Sequence, residues 1–103
     1  MKLNLLERFT ILQILPAEGN FSTLKINRDL QESLAPTEKE FKDFEIVQED
    51  ERTRWNQKGM IEKEIEIGEK ATDMIVKSLK KLDEDKKLTA QHISVFEKFV
   101  KEN

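Results

Sequence analysis

Asp83-Glu84-Asp85, followed by Lys86-Lys87-Leu88-Thr89, is a run of hard oxygen donors of the kind that binds calcium. A calcium loop counted from Asp83 fails, however. Its fifth ligand position is Lys87, the sixth, which needs glycine, is Leu88, and the twelfth, which needs a bidentate glutamate, is Ser94. His92 is the only histidine and there is no cysteine, so neither a His pair nor a thiolate set can hold zinc. Ser22, Ser78 and Ser94 have no G-x-S-x-G elbow around them, and three scattered glycines cannot form a phosphate loop. The residues therefore imply no catalytic constellation, no cofactor and no metal centre. A hydrolase using carboxylates and a recruited metal is the least favoured class.

Two groups are candidates for recognition instead. Arg52, Arg54 and Lys58, with Trp55 among them, form a basic stretch that could follow a phosphate backbone. Against that, the arginines alternate as on the exposed face of a strand opposite Glu45 and Glu49, and Trp55 is then a cap on the core. Met74, Phe99 and Val100 lie on apolar stripes late in the chain and are candidates for a partner interface, a second copy of the chain included. Lys77, Lys80, Lys81, Lys86 and Lys87 also cluster, but Asp83 to Asp85 sit among them, as on an ordinary solvated face.

The elements that must carry these residues follow from periodicity and punctuation. Met1 to Leu15 reads as a buried helix, with Glu7, Arg8, Thr10 and Gln13 on its wetter side, stopped by Pro16 and an Glu18-Gly19-Asn20 turn. Ser22 or Thr23 can cap a second helix whose Ile26, Leu30 and Leu34 share a face. Thr37 and Glu40 have capping-box spacing and start a short third helix, anchored by Phe41 and Phe44. Phe44 to Asn56 reads as a β-hairpin turning at Asp50, and Glu62 to Ile67 alternates like a third strand. Gly68 breaks it. Ala71, Met74, Ile75, Leu79 and Leu82 then form the stripe of a longer helix. Thr89 caps a last helix with Ile93, Phe96, Phe99 and Val100 inward.

This order predicts an α+β, mostly helical protein, a single domain over 1–103. Residues 1–67 form a winged-helix-like three-helix core with a β-hairpin or small antiparallel sheet, and 69–101 a C-terminal helical hairpin. Phe9, Leu12, Leu30, Phe41, Ile75 and Phe96 are the expected core. Winged helices commonly read DNA with the third helix and the wing, yet Thr37 to Glu51 holds seven acidic and two basic residues. With 38% charged residues but a net charge of only −3, both signs are interspersed. Absence of cysteine fits a reducing compartment, and no stretch reads as a targeting or membrane segment, so a cytoplasmic protein is expected.

The stretches Leu6-Glu7-Arg8 through Ile14-Leu15-Pro16, Trp55-Asn56, and Lys87-Leu88-Thr89 through Phe96-Glu97-Lys98-Phe99 resemble a family of small uncharacterised proteins encoded in phages and prophages. The resemblance implies a genomic setting, in a bacterial host cell or a virion, and carries no catalytic or binding residues. The expected function is a non-enzymatic protein-interaction, assembly or adaptor module. The alternative is a winged-helix transcriptional regulator that binds DNA.

Overall fold

The computed structural model describes residues 1–101; the last two positions of the expected 1–103 span lie outside them. The chain is α+β and mostly helical. A short strand β1 (Lys2–Leu3) leads into α1 (Leu5–Ile14), α2 (Phe21–Leu34) and α3 (Glu38–Asp43). The hairpin strands β2 (Val47–Glu49) and β3 (Arg52–Arg54) follow, then a 3₁₀ turn at Gln57–Met60 and strand β4 (Lys63–Glu64). The long helix α4 (Glu69–Glu84) comes next, and the last segment begins as a 3₁₀ turn at Ala90–His92, continues as α5 (Ile93–Phe96) and ends as a π turn at Glu97–Lys101.

Met1 to Leu15 is not helical throughout. Asn4 caps α1 reciprocally with Glu7, its side-chain oxygen accepting from the Glu7 N–H at 2.8 Å while Glu7 accepts from the Asn4 N–H at 2.9 Å. The residues before Asn4 are extended and pair antiparallel with β4, Leu3 opposite Lys63. The third strand expected in Glu62 to Ile67 thus joins the start of the chain and leaves the hairpin as a separate two-stranded sheet. The alternation in that stretch works as expected, since Ile65 is buried and Ile67 packs against the core.

The largest departure lies on α1. Glu7, Arg8 and Thr10 are buried, not on a wet side, because α1 is enclosed by elements that bring them partners. Arg8 donates from Nε to the Leu34 carbonyl at 2.9 Å and from Nη2 to the Ala35 carbonyl at 3.1 Å, satisfying backbone acceptors that the end of α2 leaves open. Its guanidinium also grips Glu40 in a two-pronged pair at 2.7 and 3.0 Å. Glu40 in turn closes the capping box with Thr37. One arginine therefore fixes α1, the end of α2 and the start of α3 together.

Glu7 does the same on another side, where Lys98 donates to it at 2.8 Å and the Ser94 hydroxyl also donates to it. Lys98 extends the tie to the Lys2 carbonyl at 2.9 Å and to Glu62. Burial pushes the Glu7 carboxyl up, but the hydrogen bonds from Lys98, Ser94 and the Asn4 amide together outweigh it and leave the group below its ordinary value. Lys98, which burial alone would push down, is raised by its bonds to Glu62 and Glu7.

The apolar core is one cluster drawn from both sides of Gly68: Leu3, Ile11, Leu30, Leu34 and Ile65 meet Ala71, Ile75, Leu79, Val95 and Phe99. Of the expected core, Leu30 and Ile75 are buried, and Leu12 and Phe96 pack partly against the cluster. Phe9 is only half-buried. Phe41 is exposed, because Glu40 takes the inward position of α3 and its neighbour is turned roughly 100° away around a helix of 3.6 residues per turn. In the last segment Val95 and Phe99 point inward while Ile93 is exposed. The 3₁₀ start and π end shift the phase that a regular helix from Thr89 would have had. α2 is capped by Asn20, whose side chain accepts from the Thr23 N–H at 2.9 Å, in place of Ser22 or Thr23.

Candidate binding groove

The hairpin stands beside α1 and leaves a groove of about 330 Å³ between them. Leu6, Phe9, Leu12 and Gln13 of α1 form one wall, Gln48, Glu51, Thr53 and Trp55 of the hairpin the other, and Gln91 of the last segment closes one side. Strand geometry decides which hairpin residues face it. Side chains alternate across a strand, so Thr53 points away from Arg52 and Arg54, and Gln48, paired with Thr53, points with it; Glu51 and Trp55, just outside β3, line the groove beside them.

The groove's aromatic wall is held from several directions. Phe9 and Trp55 meet with ring centroids 5.5 Å apart and planes tilted by 45°. Asn56, next to Trp55, closes the base of the hairpin. Its N–H donates to the Phe44 carbonyl at 2.8 Å, its Nδ2 to the Asp43 carbonyl at 3.0 Å, and its Oδ1 accepts from the Lys58 N–H at 3.0 Å. Gly59 supplies the space the indole needs, since a Cβ there would lie 2.5 Å from Trp55 Cδ1. On the far rim, Gln91 Nε2 donates to Thr10 Oγ1 at 2.9 Å and to Gln13 Oε1 at 3.2 Å. The result is a fixed aromatic pair ringed by amides, a hydroxyl and one carboxylate: a surface for apolar side chains and peptide groups.

The other candidates fall elsewhere. Arg52 and Arg54 share the opposite face of β3, where Arg54 pairs with Glu49 and Arg52 lies directly across from Glu49. Lys58 is exposed in the 3₁₀ turn beyond the hairpin. Of the expected partner interface, Phe99 is buried in the core and cannot present a surface, while Met74 and Val100 are partly buried against the same cluster. Asp83 to Lys87 forms the end of α4, with Lys86 at a φ of 57° and the Lys87 N–H donating back to the Leu82 carbonyl at 2.8 Å. His92 Nδ1 accepts from the Thr89 N–H at 2.9 Å, a capping role. Ser94 is bound to Glu7, and Ser22 and Ser78 do not join it. Among the described residues, no three His, Cys, Asp or Glu side chains stand together as metal ligands.

Sequence reasoning alone misses the groove, because periodicity puts Phe9 in the core and Trp55 as its cap. The signal that locates it is the period-two set Glu51, Thr53 and Trp55 opposite the arginines. No family model, curated protein or solved structure matches the chain. No helix among the described residues is long and apolar enough to cross a membrane.

Proposed function

We propose that this protein is a non-enzymatic interaction module, an adaptor or assembly factor of phage or prophage origin working in the bacterial cytoplasm or in a virion, which docks a partner protein on the groove between α1 and the hairpin. The observation that carries the reading is the Phe9–Trp55 pair, half-buried, held in place and open to a groove whose other polar groups are mainly amides. Aromatic side chains fixed in a concave site are the usual anchors of protein recognition. The phage setting rests on the resemblance of the Leu6 to Pro16 and Lys87 to Phe99 stretches. Self-pairing through the C-terminal hairpin loses its central residue with Phe99 in the core.

A winged-helix DNA-binding regulator is the second reading, favoured by the α1–α2–α3–hairpin order. It has against it six exposed carboxylates on α3 and the hairpin, at Glu38, Asp43, Glu45, Glu49, Asp50 and Glu51, and an Arg54 already paired with Glu49. Site-specific photocrosslinking separates the two. A benzophenone side chain at Gln48 is expected to give a discrete protein adduct in the bacterial host, and the same group at Lys80 none. Crosslinks to DNA alone, or sub-micromolar sequence-dependent duplex binding near physiological salt, would establish the regulator instead.

A further inference from the structure

We infer that the groove selects a basic partner segment, one that sets an apolar side chain against Phe9 and Trp55 and places a lysine or arginine against the hairpin tip. The inference rests on the reading of the groove as a protein-binding site and adds the chemistry of its occupant.

Three observations carry it. First, the charged residue that lines the groove is Glu51, which shares the inward face of the hairpin with Thr53 and Trp55. Asp50 adjoins it, and both help line a second hollow at the hairpin tip. Second, among the described residues neither Asp50 nor Glu51 has a cation within ion-pair distance. Neither of the hairpin's own arginines lines the groove: Arg54 is engaged by Glu49, and Arg52 shares the tip hollow with Asp50 and Glu51 without pairing to either. Third, the hairpin side of the groove mouth is net acidic: with its lead-in the hairpin exposes Glu45, Glu49, Asp50 and Glu51 against Arg52 and Arg54. A cationic segment is drawn toward such a mouth, and an acidic one or a nucleic acid is repelled. The volume of about 330 Å³ lies at the low end for ligand sites, room for one or two side chains of an extended segment.

The test uses the whole protein and a display library of random linear dodecapeptides lacking tryptophan. Trp55 is the only tryptophan, so synthetic copies of the enriched peptides can be titrated by its fluorescence. The expected peptides carry Lys or Arg beside Leu, Ile or Phe. Their affinity should fall about fivefold on Glu51→Gln, and further with salt, as exposed ion pairs do. Gln48→Tyr, which fills the groove, should abolish the fluorescence change while the melting curve stays that of the parent. Peptides that need an open groove but are neutral or acidic, or are indifferent to Glu51→Gln and to salt, would overturn the inference and leave the docking site standing. If no peptide perturbs Trp55, or Gln48→Tyr leaves binding intact, the docking site itself falls and the inference with it.

Discussion

Arg8 and Glu40 are a case in which burial of charge organises a fold. The guanidinium reaches two main-chain carbonyls and both carboxylate oxygens, so little of its donor capacity is left unmet in the interior. Arg8 beside it, with help from the Thr37 amide and against the effect of burial, holds the Glu40 carboxyl down to about 2 from an ordinary 4.5. A carboxylate whose folded pKa is depressed stabilises fully above its unfolded value and loses that contribution as pH falls toward the folded one. The Glu40 share, on the order of 3 kcal/mol, should therefore be present at neutral pH and disappear between about pH 4.5 and pH 2. Urea unfolding of the parent and of Glu40→Gln across that window checks it. The variant should be weaker by about 3 kcal/mol near pH 7, since Arg8 is left buried without its counter-ion, and the two should converge in acid. Parallel pH profiles would show that the pair adds nothing net.

The ends of the elements can be understood from local chemistry, and the same chemistry shows how far the sequence could be read. The Thr37–Glu40 box, the hairpin around Asp50, the break at Gly68 and the α4 stripe depend on residues within a few positions of one another, so they were legible. The β1–β4 pairing joins positions about 60 apart, and Lys98 reaches Glu7 from the far end of the chain. No periodicity records such partners, which is why Glu7 and Arg8 looked like solvent-facing residues and Phe9 like core. The groove was hidden for the same reason, since its two walls come from α1 and a hairpin that only the fold brings together. The end of α4 supplies a prediction at this scale. The bonds from Lys86 N–H to the Asp83 carbonyl at 3.1 Å and from Lys87 N–H to the Leu82 carbonyl at 2.8 Å form a Schellman ending, with a lysine where glycine is preferred. Lys86 is exposed, so Lys86→Gly removes the Cβ strain of its φ of 57° and should stabilise by about 0.5–1 kcal/mol after the extra freedom of the unfolded chain is deducted. A lower melting temperature for that variant would mean the lysine side chain contributes more than the strain costs.

Across the whole molecule, the C-terminal segment completes the core instead of offering a spare face. Phe99 is 1% exposed and Val95 fully covered, in a cluster that includes Ile75 and Leu79 of α4 and also Leu3, Ile11 and Leu30 from the opposite end of the chain. The late apolar stripes are thus mostly used internally. The large apolar residues left in water are Phe21 and Leu24 on α2, Phe41, Val47, Met60, Ile61 and Ile93, none of them on α4. A buried phenylalanine truncated to alanine loses about 3–5 kcal/mol, a large part of the stability of a domain this size, and a carboxylate in its place adds the cost of burying an unpaired charge. Phe99→Ala should therefore lower the melting temperature sharply, and Phe99→Glu should abolish cooperative unfolding as followed by circular dichroism. An interface residue would behave differently: Phe99→Glu would keep its helical signal and its melt while sedimentation showed the mass halved. That outcome would return Phe99 to the surface and the C-terminal hairpin to a dimer contact, whereas loss of the melt places the last turn of the chain in the same cooperative unit as its first strand.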